Sequence, residues 1–160
     1  MNEIKKLYRK FIKHWTNYVF QSLAAMLIVM LIMAIMDMTE FVIISSIGAT
    51  TFIVFAMPRY HVAKPRNIIG GHITGLAAGF IFTLLPMQGV FWEIVILGGA
   101  VGLSIFLMVI LDTEHPPASG TALGIVLYGF SLRICLAVIV SAVILSLIHQ
   151  LLGNNIRDLT

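Results

Sequence analysis

The chain has 160 residues, of which 59% are hydrophobic and 11% charged, and its mean hydropathy is +1.01. About a quarter of residues are charged in a soluble domain, so this balance excludes an ordinary soluble fold and points to one compact bilayer domain. The net charge is only +3, and a lone cysteine, Cys135, excludes a disulfide framework or a cysteine-based metal site.

Residues 1–15 read as a separate element. Ile4, Leu7, Phe11 and Trp15 recur at helical spacing, while Lys5, Lys6, Arg9, Lys10 and Lys13 take the other faces. The pattern predicts an interfacial amphipathic helix, held by apolar burial and by attraction to anionic membrane lipids. Its plainer role is to orient the chain by positive charge. A full-length apolar stretch follows with no cleavage pattern, so no removable signal is expected.

Residues 16–160 read as a single transmembrane domain. A bilayer core of about 30 Å needs about 20 apolar residues of helix. Apolar stretches occupy 18–36, 41–57, 68–85, 92–111, 117–130 and 132–152. The expected fold class is therefore all-α, a polytopic membrane helix bundle of about six spans. The fifth stretch is short enough to be re-entrant or enclosed by the others, which would leave four or five crossings. With six, the basic residues of 1–15 fall on one side together with Arg59, Lys64, Arg66 and Arg157, and Arg133 falls on the other. The positive-inside rule then places both termini in the cytoplasm and the chain, multi-pass, in the cytoplasmic membrane.

A long–short–long order of spans occurs twice. The first half carries Asp37-Met-Thr-Glu40 and then Gly48-Ala49-Thr50; the second carries Asp112-Thr-Glu114 and then Ser119-Gly120-Thr121. Halves with an odd number of spans have opposite orientation, so the pattern predicts a three-plus-three inverted repeat. Interrupted short segments in corresponding positions then point to a transporter's central site.

The densest polar cluster is Asp112-Thr-Glu-His-Pro-Pro-Ala-Ser-Gly-Thr121. Pro116 and Pro117 suit the first turn of a helix. The following amides, with the Ser119 and Thr121 hydroxyls and the open backbone of Gly120, would face an anion at the positive end of the helix dipole. A proline-led turn capped by the protein itself is the plain alternative. His115 can donate to an anion or carry a proton. His72, inside the third span, needs a partner or lines a pathway. Lys64, Arg66 and Asn67 stand at the mouth of that span, where Arg66 can attract an anion. Asp112 and Glu114 oppose that attraction unless Arg66, Lys64 or His115 pairs with them. His61 reads as a plain loop residue. Gly71, Gly75 and Gly79, then Gly98 and Gly102, then Gly120 and Gly124 predict close helix contacts. No metal-ligand spacing or nucleophile–base pair is visible, so neither an enzyme nor a cofactor is expected.

His115-Pro116-Pro117 with Ala-Ser-Gly-Thr-Ala-Leu closely resembles the motif that names the HPP family of integral membrane proteins. The stretch Ala63-Lys-Pro-Arg-Asn-Ile-Ile-Gly-Gly-His72 resembles that family's second signature, in which Gln often replaces Lys64. The family typically reads Gly-Ala-Thr where this chain has Ser119-Gly120-Thr121. The resemblance implies a multi-pass membrane protein, and some plant plastid and cyanobacterial members are associated with nitrite transport.

Together these readings predict a transporter or channel for a small inorganic anion, nitrite first, with His115–Thr121 and Gly48–Thr50 as paired helix starts. No nucleic-acid partner is expected, and a homo-oligomer is compatible with the glycine faces. Two alternatives stay open: a proton- or cation-coupled transporter that uses the acidic residues, and a membrane adaptor that transports nothing.

Overall fold

The computed structural model describes residues 3–36, 39–153 and 155–160. The described residues form six α-helices and one 3-10 turn, with no strand. The helices are α1 (Glu3–Met36), α2 (Phe41–Ala56), α3 (Pro65–Thr83), α4 (Val90–Ile110), α5 (Pro117–Tyr128) and α6 (Leu132–Leu152); the 3-10 turn His61–Ala63 precedes α3. Asp37, used in the repeat argument, lies outside the described residues.

Three helices, α1, α4 and α6, are long and apolar enough to cross a bilayer. α2 and α5 are apolar but short: the 12 residues of α5 extend roughly 18 Å at the helical rise. The third expected span is less apolar than those of α1, α4 and α6. α3 has 19 residues but interrupts its apolar sequence with Arg66, Asn67, His72 and four glycines. α1 is two helical stretches joined across a kink at His14 (φ −132°, ψ 17°), next to the expected junction after residue 15.

Side-chain bonds fix which helix ends lie together. At one end, Lys10 Nζ donates to Leu159 O, Leu159 N donates to Ala56 O, His149 Nε2 donates to Pro58 O and Arg66 pairs with Asp112. At the opposite end Arg133 pairs with Glu40, and Val42 N lies 3.4 Å from the Tyr128 hydroxyl. The helices therefore alternate up and down. The basic start of α1, the 57–64 loop, the 111–116 loop and the C-terminal residues share one end, and Arg133 stands at the other.

α5 sits inside the bundle, against α2, α3 and α4, and α3 in turn touches α4 and α6. One apolar cluster joins Ile43, Ile47, Val54, Ile68, Ile125, Val138 and Leu145. A second joins Ala78, Ile96, Ala100, Ala122 and Val126. The α3–α5 contact depends on glycine. A Cβ on Gly71 would lie 2.6 Å from His115 Cβ, one on Gly79 would lie 2.7 Å from Ala122 O, and one on Gly75 would collide with Ala118 O. Gly120 and Gly124 likewise face Ser46 and Ile43 of α2. Gly98 and Gly102 behave differently from expectation: a Cβ there meets nothing within 4 Å. They lie on the outward face of α4, where none of the described helices packs.

The turn before the His-Pro-Pro motif is a Schellman cap. Thr113 N donates to Met108 O and Asp112 N to Val109 O, with Asp112 in the left-handed region at φ 54°. Glycine is usual there, and Asp is among the few other residues that tolerate it.

Candidate functional site

The third and fifth helices start at the same end, but not at the same depth. Gly70 meets Thr113, and Gly71 meets His115. Gly71 is six residues into α3, so the motif is recessed by roughly 9 Å at the helical rise. His115 and His72 are both fully buried, with ring centroids 5.2 Å apart. Isolated polar groups at such depth are costly unless hydrogen-bonded, and the structure supplies the partners from three helices and a loop.

Thr50, also fully buried, stands between the two rings. Its Oγ1 lies 2.9 Å from His115 Nε2 and 3.0 Å from His72 Nε2. His115 Nδ1 donates to Val62 O at 2.9 Å. On the other side, His72 Nδ1 lies 2.8 Å from Thr121 Oγ1, and Thr121 Oγ1 lies 2.9 Å from Ser46 Oγ. Ser46 Oγ donates to Pro117 O at 2.6 Å. One unbroken hydrogen-bonded chain thus runs from Val62 O through the side chains of His115, Thr50, His72, Thr121 and Ser46 to Pro117 O.

The expected site residues divide into three groups. His115, His72, Thr50 and Thr121 meet in this chain, which Pro117 terminates through its carbonyl. Asn67 lies beside it, with Nδ2 donating to Glu114 O and 3.1 Å from His61 Nε2. Arg66 donates to Asp112 Oδ2 at 2.6 Å and to Leu111 O at 3.0 Å, so it covers the end of α4. The remaining residues do not reach the histidines. Lys64, Pro116 and Ala49 are exposed, and Gly48 faces open space. Ser119 turns toward α4, where its Oγ lies 3.2 Å from Ser104 Oγ. Gly120 serves as the contact with Ser46.

Two expectations about helix starts change. Gly48–Thr50 lies in the middle of α2, which is continuous from Phe41; Thr50 joins the centre through its hydroxyl, and no backbone amide is freed there. At α5, Ala118 N donates to His115 O and Ser119 N to Pro116 O. Pro116 already has helical angles (φ −50°, ψ −38°), so the proline-led turn caps two of its own amides.

The two carboxylates at the mouth both have partners. Asp112 is paired with Arg66, as the sequence required of any anion route. Glu114 has a partner the sequence did not single out: His61 Nε2 lies 3.2 Å from its Oε2. Ser46 was also missed. Its only signal is a hydroxyl one helical turn before Thr50, where i and i+4 residues share a face. A cleft of about 480 Å³ between α4 and the motif is lined by Ile105, Met108, Val109, Glu114, His115, Pro116 and Ser119, and so reaches the motif from outside.

Residues 10–159, nearly the whole chain, match the family described as HPP, transmembrane region. The chain belongs to the HPP family. In the fold of this HPP chain, residues 63–72 and 115–123 meet at the buried histidine pair, one stretch through His72 and the other through His115. A transmembrane protein of Dictyostelium discoideum is 36% identical over 83 residues, which is 51% of this chain and 29% of that protein. The similarity therefore spans less than a third of that relative's length. No solved structure matches the chain. Family and helices together make this a membrane protein.

Proposed function

We propose that this HPP protein is a transporter or channel for a small inorganic anion, with nitrite the first substrate to test. The observation that carries the reading is the hydroxyl–imidazole chain buried at the bundle centre with no carboxylate in it among the described residues. Polar groups held at depth in a membrane bundle mark substrate or ion routes, and a polar centre without a carboxylate does not repel an anion. The mouth supports the same sign. Asp112 is engaged by Arg66, Glu114 faces His61, and Glu40 is engaged at the opposite end by Arg133. A cation site built on these carboxylates would first have to displace those partners.

α2 and α5 are the two short helices. They run in opposite directions and meet through Ser46, Gly120 and Thr121, as the central elements of two inverted halves would. The basic end is assigned to the cytoplasm by the positive-inside rule, which puts Arg59, Lys64 and Arg66 where they attract anions inside the cell. The amphipathic start of α1, with Leu7, Phe11 and Trp15 exposed, then lies along the lipid surface.

Uptake of labelled nitrite, nitrate and formate, in parallel with sodium and potassium, into liposomes containing the purified protein tests the sign of the substrate. Anion uptake above that of empty liposomes is expected; cation-only uptake reverses the assignment, and no uptake of either favours an adaptor.

A further inference from the structure

The buried chain is one proton short. It has six links: Val62 O to His115 Nδ1, His115 Nε2 to Thr50, Thr50 to His72 Nε2, His72 Nδ1 to Thr121, Thr121 to Ser46, and Ser46 to Pro117 O. Each link needs one hydrogen between its two heavy atoms. Both ends are backbone carbonyls, which only accept. With both imidazoles neutral, His115, Thr50, His72, Thr121 and Ser46 supply one hydrogen each, five in all. No choice of tautomers fills every link. If His72 carries its hydrogen on Nε2, the Thr121 hydroxyl must serve His72 Nδ1 and Ser46 must serve Pro117 O, and two oxygens face each other across the Thr121–Ser46 contact. If His72 carries it on Nδ1, the single Thr50 hydrogen faces two bare Nε2 atoms. Ser46 O, 3.1 Å from Thr50 Oγ1, is a further acceptor and enlarges the shortage.

We propose that the His115–Thr50–His72 cluster is a binding site for one proton, shared by the two imidazoles through the Thr50 hydroxyl. One added proton satisfies all six links in either of two ways. With His115 as the imidazolium, Nε2–H donates to Thr50, Thr50 O–H donates to His72 Nε2, and His72 Nδ1–H, Thr121 and Ser46 donate onward to Pro117 O. When His115 gives its Nε2 proton to the Thr50 oxygen and Thr50 gives its own hydrogen to His72 Nε2, the imidazolium has moved to His72 and every link is still filled. The hydroxyl is a donor in one direction before the transfer and in the other after it.

Hydrogen bonding favours the extra proton, while burial of a net charge opposes it. An anion arriving beside the cluster removes that opposition. Resting on the anion reading, the site therefore takes up a proton together with the anion, and each tightens the binding of the other. The surrounding charges are confined to the mouth. His61 on the 3-10 turn, Asp112 and Glu114 on the loop before α5, and Lys64 and Arg66 at the start of α3 face it there. α2 and α5 carry no Asp, Glu, Lys or Arg; Glu93 of α4 lies at the far end of its helix, and His149 of α6 is bonded to Pro58 O.

Solid-state nitrogen NMR of ring-labelled histidines, on the full chain in lipid bilayers, reads the site directly. Two ring nitrogens of a buried histidine should both become protonated between pH 8 and pH 5, with the signal assigned by its disappearance in His72→Asn or His115→Asn. Sodium nitrite should move this change to higher pH. Thr50→Val, nearly isosteric, should split the shared titration into two unlinked rings, and Thr50→Ser should preserve it. If both buried rings keep one bare nitrogen each at pH 5, the proposal is overturned. Uptake of nitrite by the same preparation separates the two claims. Protonation without nitrite flux leaves the proton site standing and removes the anion reading; nitrite flux with neutral rings, and no accompanying proton uptake, does the reverse.

Discussion

An alanine at Gly75 perturbs the contact that assembles the buried chain. The added Cβ would collide with Ala118 O, with the Ala118 carbonyl carbon at 3.2 Å and Thr121 Cβ at 3.4 Å. The obstacle is backbone in the first turn of α5, so no rotamer change relieves it. The helices must part by roughly 1 Å to restore ordinary contact. That movement carries the 2.8 Å contact between His72 and Thr121 beyond the usual hydrogen-bond limit. Overpacking costs about 1–3 kcal/mol, and a buried polar group left unpaired costs about 1–3 kcal/mol. Better helix propensity returns about 1 kcal/mol. The net expectation is a loss of about 1–5 kcal/mol. Gly98→Ala is the control: with nothing within 4 Å, it should be neutral or stabilise by up to about 1 kcal/mol. Denaturant unfolding in detergent micelles, followed by tryptophan fluorescence, compares the two. Equal midpoints for Gly75→Ala and Gly98→Ala would refute the close approach of α3 and α5.

Arg66→Gln should lower nitrite uptake several-fold, because it leaves the Asp112 carboxylate unneutralised. The pair is largely exposed, with side-chain accessibilities of 63% and 70%, so stability should change by less than about 1 kcal/mol. Asp112→Asn keeps the left-handed cap and should restore uptake in the double variant. Gln21, buried, donates to Phe55 O and Arg157 O and accepts from Arg157 N. Gln21→Leu should cost about 1–3 kcal/mol and speed hydrogen exchange at Arg157 and Leu159, measured by mass spectrometry. Burial alone would raise the Glu40 carboxyl, but the Thr39 and Glu40 amides and the Arg133 guanidinium hold it below 4.5. Its stabilisation is thus present above about pH 4.5 and lost as pH falls through the lowered native value. Unfolding of wild type and Glu40→Gln should therefore converge in acid.

Periodicity and hydropathy made the six helices legible, because apolar length and basic loops are local properties of the sequence. The α3 glycines were legible as contacts for the same reason: a four-residue spacing defines a face. Partner choice was not. Gly98 and Gly102 have the same spacing as Gly71 and Gly75, yet point away from the bundle, since a spacing does not say which face meets a neighbour. The centre was found by residue type, through His72 and His115, but its nature was misjudged. Two prolines suggested free backbone amides, whereas His115 O and Pro116 O cap two of them. Thr50 was picked as part of a helix start and acts through its side chain. Ser46 and His61 had no mark of their own, because their importance comes from residues 75 and 53 positions away.

Nitrite flux into liposomes carrying the purified chain, with a pH gradient and a membrane potential imposed separately, tests the transport claim most directly. The account predicts uptake above that of protein-free liposomes, driven by an inward pH gradient and strongly reduced in Thr50→Val. Absence of nitrite, nitrate and formate uptake under both driving forces, from protein that is folded by its unfolding transition, would contradict it.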